Sequence, residues 1–385
     1  RIRQTNIKNH ANKIQDEESR REYLEFRKDP KVYLESYIQS NPNVTPSGLS
    51  TRLGFEDTTI ILALLHEFGF DDLASNLSSM ESEVVEFLRL IDPNIRISIH
   101  DRKVIAPKEI DLYLPEYHIG IECNPTTTHN CTVSLGQLLG NTESKPISYT
   151  YHRDKSRDCE DQGIFLFHIF GYEWKSRPEI IKSMLRNLIN KSSTRYYARK
   201  LYLRYVPVKE SRDFLDNNHR QGSCTSSVNL GLYQGDTLLS LMTFGPTRTS
   251  LGRHKSDDCT VWELLRFCNR LNTSVVGGAS KLFKYFISHH DVSKVVSFSD
   301  ISHTRGNLYS LLGFTKANVS DPGYGWVHLI SDMYLNRVNC QKQNLPKLFD
   351  EPNLDIANKT EQQIMVEHGF VQVFDSGVIR WEYTK

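Results

Sequence analysis

The chain lacks three things that would settle its class at once. It has no apolar run approaching the roughly 18–20 residues that span a bilayer, no Cys-x-x-Cys pair, and a net charge of only +1. The first absence excludes an ordinary membrane-spanning helix. The second argues against a zinc ribbon, and seven scattered cysteines (Cys123, Cys131, Cys159, Cys224, Cys259, Cys268, Cys340) are an odd set for a disulfide framework. A reducing compartment follows, with the cytoplasm as default. The near-zero charge decides nothing about a nucleic-acid partner, because local basic patches matter more than the total. The basic opening "RIRQTNIKNH" has no apolar core behind it and does not read as a signal peptide.

What is present is an ordinary globular composition, 38% hydrophobic and 24% charged, over 385 residues. That length predicts two or three domains. Residues 1–77 read as a helical region. Within it, 45–70 predict two short helices around a turn at Gly54, with Leu49 and Leu53 on one face. This is the layout of a helix-turn-helix and equally of a plain helical hairpin. Residues 78–195 alternate helices and strands, and "IFLFHIF" should be a buried central strand. "KSSTRYYARK" then reads as a linker. Residues 196–335 form a second α/β domain, and 336–385 a C-terminal extension ending in a strand pair near "VFDSGVIRWEY".

The chemistry concentrates in "EIDLYLPEYHIGIECNPTTTHN", residues 109–130. Parity places Ile110, Leu112 and Leu114 on one face of the first strand and Asp111 and Tyr113 on the other. In the second strand Ile119, Ile121 and Cys123 oppose Gly120, Glu122 and Asn124. A turn at residues 115–118 sets Asp111 directly across from Glu122. Two carboxylates about 5 Å apart repel unless something compensates, either a divalent cation or a neighbouring Lys or Arg. His129 lies just beyond the hairpin, His152 and Lys155 share a helix face, and Glu81 sits in the first turn of the preceding helix. Together they offer metal ligands, a proton carrier and a phosphate-steadying cation.

Those residues, with "HDRKVIAPKEID" upstream and "YHRDK" and "GIFLFHIFGYEW" downstream, resemble the PD-(D/E)XK nuclease superfamily. The order is similar to that of phage homing-type endonucleases related to very-short-patch-repair nucleases, over roughly residues 78–191. The resemblance implies a magnesium- or manganese-dependent cut in duplex DNA, in a phage-infected or bacterial cell. Asp111 and Glu122 would hold the metal, while Glu81, His129, His152 and Lys155 would complete the catalytic set. Glu122 is followed by Cys123-Asn124, so the usual Lys of that strand is missing and Lys155 would stand in for it.

The second domain carries "VVGGASKLFKYFI", a Gly-rich turn opening a helix, which is an anion-binding device or simply a close helix–strand packing. With "NLYSLLGF" it resembles the GCN5-related acetyltransferase fold. In that family the turn holds coenzyme A, which would fall here against Gly277, Gly278 and Ala279 with Tyr309 beside the thioester. The expectation for this chain is a fold-level relative without acetyl transfer, serving as a DNA-contacting or specificity domain. Ser274 stands where the family has Arg or Gln. The leading expectation is therefore a DNA endonuclease. The alternatives are an N-acetyltransferase using acetyl-coenzyme A, or a nuclease-derived DNA-binding protein that leaves its target intact.

Overall fold

The computed structural model describes residues 14, 16–41, 44, 46–55, 61, 64–65, 67–70, 78–138, 143–247 and 260–385. The chain divides into two compact units, Arg1–Glu86 and Phe87–Lys385. The fold is mixed α/β, with several sheets and helices. No helix of the described residues is long and apolar enough to cross a membrane.

In the first unit, α1 (Glu17–Lys28) starts at Asp16, whose carboxylate accepts the Ser19 amide at 2.7 Å. Asp29 caps α2 (Pro30–Ser40) in the same way, with Pro30 in the opening turn, where its missing N–H costs nothing. Helix α3 (Pro46–Arg52) gives way to Gly54 at φ 68°. Leu49 and Leu53 are fully buried beside Tyr23, Phe26 and Leu34, as their shared face predicts. Most of the second helix of the expected helix-turn-helix lies outside the described residues.

The unit boundary falls within α4 (Ser79–Ile91). Next come β1 (Ser98–Asp101), β2 (Ile110–Leu114), β3 (Ile119–Asn124), a single turn α5 (Leu135–Leu138), α6 (Tyr151–Asp161) and β4 (Phe165–Phe170). They build a sheet in the order β1-β2-β3-β4, in which only β3 and β4 run parallel. The expected apolar strand is β4, buried at every position. Helices α7 (Gly171–Ser176) and α8 (Pro178–Leu188) complete this half.

The stretch read as a linker is instead β5 (Thr194–Tyr197) and a three-residue 3-10 turn, and β6 (Tyr202–Tyr205) follows it. Then follow α9 (Val208–Asn218), β7 (Val228–Gln234), β8 (Thr237–Pro246), β9 (Val261–Asn269), β10 (Thr273–Val276), α10 (Gly278–His289), β11 (Lys294–Asp300), α11 (Asn307–Leu311) and β12 (Thr315–Val319). The chain ends with β13 (Tyr324–His328), β14 (Tyr334–Asn336), α12 (Leu345–Leu348), α13 (Glu361–Glu367), β15 (Phe370–Phe374) and β16 (Val378–Thr384).

A seven-stranded sheet runs β12-β16-β11-β9-β8-β7-β6, parallel only between β9 and β11. Its core gathers Leu230, Met242, Phe244, Leu282, Phe283 and Phe286 under α10. The last two strands form, but they do not pair with each other. Strand β15 joins β13 in a three-stranded sheet, while β16 enters the large sheet between β11 and β12. The small sheet also ties back to the first half, where Cys131 donates its amide to the Gln372 carbonyl at 2.9 Å.

Candidate functional site

The hairpin register is the one parity predicts. Leu112 faces Ile121, Tyr113 faces Gly120 and Leu114 faces Ile119, which carries Asp111 to the position opposite Glu122. On β2 the burial alternates as expected, but β3 is buried at all six positions. The reason is layering, since β4 covers its free edge and α6 lies over the face that parity left open. Glu122, 1% exposed, is thus no solvated hairpin charge.

Lys155 of α6 reaches down and pairs with Glu122 Oε1. Asp111 uses Oδ2 to accept the Cys123 amide at 2.8 Å. Burial and the charge of Asp111 together lift the Glu122 carboxyl to about 8, against the pull of Lys155. Burial lowers Lys155, yet Glu122, Tyr151 and Asp111 outweigh it and hold the ammonium above its ordinary value. Glu122 Oε2 and Asn124 Oδ1 are buried with no hydrogen-bond partner among the described residues.

His129 and His152 also meet. Their rings stack 5.6 Å apart, and His129 Nδ1 lies 3.3 Å from His152 Nε2. His152 Nδ1 is 2.8 Å from the Phe374 carbonyl, which can only accept, so Nδ1 carries the proton and Nε2 accepts from His129. Burial depresses both, to about 4 for His152 and about 3 for His129, so both are neutral. His168, one strand over, bonds Ser156 at 2.8 Å, and Ser156 lies 3.2 Å from Ser376. The sequence reading missed His168, Ser156 and Ser376. Only the buried histidine in "IFLFHIF" could have signalled them.

Glu81 lies in the first turn of α4. Its carboxylate accepts the Ser78 amide at 2.6 Å while its own amide donates to the Ser78 hydroxyl, a capping box at the start of α4.

A second buried cluster went unread in the sequence. Arg220 bridges Glu173 of α7, at 2.5 Å, and Asp300 at the end of β11. His303 sits with Nε2 3.2 Å from Glu173 and Nδ1 3.2 Å from Asp300. Both ring nitrogens face carboxylates, which suits the imidazolium. Burial and Arg220 oppose that charge, but Glu173 and Asp300 raise the His303 pKa above its ordinary value.

In the large sheet, β9 and β11 pair only over Val261–Glu263 and Lys294–Val296. Beyond that, β9 continues against β8 and β11 against β16, so the two parallel strands part. At the apex, Ser297 donates to the Leu264 carbonyl at 2.9 Å and lies 3.1 Å from the Tyr309 hydroxyl. That hydroxyl donates to the Phe298 carbonyl at 3.2 Å. Burial raises the Tyr309 pKa, keeping the phenol protonated.

Gly277, at φ 74°, caps α10 in a conformation that disfavours a side chain. A Cβ on Gly278 would meet Val275 at 3.0 Å. Ala279 packs into the core. Ser274 pairs in register with Arg195, because β5 runs parallel alongside β10. A cavity of about 410 Å³ opens here, lined by Tyr197, Ala198, Arg199, Val276, Gly277 and Lys281. Lys281 donates to the carbonyls of Ala198 and Leu201, fastening that wall to the first turn of α10.

No protein-family model matches the chain, and no curated protein matches it. Among solved structures it is similar to a GNAT-family acetyltransferase from Bacillus cereus, with 12% identity, 48% of this chain and 97% of that one covered, and a TM-score of 0.26. It is also similar to the ribosomal-protein-S18-alanine N-acetyltransferase of Escherichia coli (10% identity, 48% and 93% covered, TM-score 0.27). A Bacillus subtilis acetyltransferase solved in complex with CoA gives 11% identity, 48% and 99% covered, and a TM-score of 0.27. At these values the likeness assigns no activity to this chain.

The expected DNA endonuclease is corrected on these findings. The three structures named above are acetyltransferases, and none of them is a nuclease. The donor set does not fit the expected magnesium or manganese either. One oxygen of Glu122 is taken by Lys155, Asp111 holds a backbone amide, and the ammonium already supplies the cation. Among the described residues no three His, Cys, Asp or Glu side chains group to hold a metal ion.

Proposed function

We propose that the chain is an N-acetyltransferase that binds coenzyme A where β9 and β11 part. The observation that carries this reading is the parting itself, three paired residues followed by divergence of two parallel strands. It leaves unpaired backbone N–H and C=O groups facing a gap, which an amide-rich arm can satisfy. The turn at Gly277 and Gly278 presents free amides and the positive end of a twelve-residue helix toward a cavity. Arg199 and Lys281 add positive charge beside it, so these residues fit a pyrophosphate. Coenzyme A would supply the activated thioester. Tyr309, kept protonated by burial, would return a proton to the departing thiolate.

Calorimetric titration with coenzyme A tests the reading, paired with release of free thiol from acetyl-coenzyme A in the presence of amine substrates. Binding should weaken when Gly277→Val fills the turn, and Tyr309→Phe should slow transfer while leaving binding in place. Neither should change in Asp111→Ala. A folded wild type that takes up no coenzyme A would sink the proposal.

A second reading has one observation in its favour. Lys155 seals Glu122 inside the hairpin whose residues resemble the nuclease pattern in sequence, which suits a protein that binds duplex DNA and leaves it whole. Retention of intact duplex, steeply weakened by salt, would support that reading.

A further inference from the structure

The stretch from Lys191 to Lys209 holds six Lys and Arg residues and no Asp or Glu. Lys191 is spent on Asp92, at 3.0 Å, and Arg204 lies 3.3 Å from the fully exposed Asp236, a pair that screens little. Among the described residues no acid pairs with Arg195, Arg199 or Lys200. The cations alternate with tyrosines, and the strands decide where both point. Tyr196 on β5 and Leu203 on β6 turn inward to the same core beneath α10. Alternation therefore sends Arg195 and Tyr197, and Tyr202 and Arg204, to the outward side.

The exposures agree, since Tyr197 is 45% and Tyr202 67% accessible. The Arg199 guanidinium lies over the Tyr197 ring at 5.6 Å and that of Arg204 over Tyr233 at 5.0 Å, so the planar groups are already layered. Strand β6 is also the edge of the large sheet, with one side of its backbone unpaired. A folded chain does not leave two large aromatics among uncompensated cations without cost.

The geometry points to this Arg195–Arg204 strip as a binding surface for single-stranded nucleic acid. The charge complements a phosphate backbone, and exposed tyrosines offer faces on which unpaired bases stack. A duplex keeps its bases stacked inside and would use only the cations. The strip shares Tyr197 and Arg199 with the cavity assigned to coenzyme A but extends beyond it. Arg195, Lys200, Tyr202 and Arg204 do not line that cavity, so variants at these four test the strip by itself.

The test is fluorescence anisotropy of the full chain with a labelled single strand of roughly 16 nucleotides, over a range of salt. Binding is expected at low salt, with duplex competitor displacing the probe less well than single strand. Removing three cations in Arg195→Ala/Lys200→Ala/Arg204→Ala should reduce the salt slope by about two units. Tyr202→Ala should weaken binding roughly tenfold with the slope unchanged, which loss of charge alone would not do. All four side chains are on the surface, so unchanged thermal melting would verify the fold. The inference is overturned if no strand binds at low salt, or if the triple variant keeps the wild-type slope. It is equally overturned if duplex competes as well as single strand and Tyr202→Ala binds normally.

Discussion

The hydroxyl of Ser297 donates to the carbonyl of Leu264 one residue beyond the last paired positions of β11 and β9. It is a side-chain rung where the backbone ladder stops. Ser297→Ala removes it and leaves a carbonyl of a buried residue to find another partner. We expect a loss of about 1–3 kcal/mol in urea unfolding. On the proposed acetyltransferase reading, coenzyme A affinity should fall with it, because the rung lies where the strands part.

The Glu122–Lys155 pair gives a sharper expectation. Among the described residues Glu122 Oε2 has no hydrogen-bond partner, so the carboxyl leans on Lys155. Above about pH 8, where the Glu122 carboxyl is ionised, Lys155→Met should cost about 3–5 kcal/mol by stranding a buried carboxylate, with a smaller loss at lower pH. The double variant Glu122→Gln/Lys155→Met should recover much of it. Added magnesium should leave the wild-type melting temperature where it is. A magnesium-dependent rise would restore the metal reading.

Here the sequence was most and least informative. Alternation and turn length were enough to set Asp111 against Glu122, and helical spacing put His152 and Lys155 on one face. Nothing local said that α6 would cover the open face of β3, because burial of a second face depends on elements far along the chain. A pair that parity leaves in water is therefore sealed and neutralised. The same limit hid β5, whose residues are polar enough for a linker until β10 pairs with them. It also hid the meeting of Arg220 with Glu173 and Asp300, three residues from separate segments.

His152 makes stability depend on pH. Its folded pKa of about 4 lies below the ordinary 6.5, so the folded chain resists the proton. Its contribution is present in full above 6.5 and is lost as pH falls toward and through 4. Between pH 7 and 5 this amounts to about 2 kcal/mol. His152→Gln should flatten the wild-type stability difference between those two pH values by that order. His303 runs the opposite way. Its raised pKa gives stability present below 6.5 and lost as pH rises through the folded value, so His303→Gln should flatten the alkaline side.

Gly325 lets β13 carry an aromatic flat against its backbone. A Cβ there would meet the Tyr334 ring at 2.2 Å, and that ring stacks on Tyr172 of α7 at 4.7 Å. Gly325→Ala must push Tyr334 aside and open the stack. We expect a loss of about 1–3 kcal/mol by denaturant titration, with Gly325→Ala/Tyr334→Ala less destabilised than the separate losses would sum to.

Strand β16 bears on how the protein is made. It lies between β11 and β12, both of which leave the ribosome well before it does. Until residue 384 has emerged, those two strands have an empty slot between them, with two unsatisfied edges. The large sheet therefore closes only after its last strand has been synthesised. A nascent chain stalled before residue 378 would expose a groove shaped for that strand, and a β16 peptide supplied from outside could fill it.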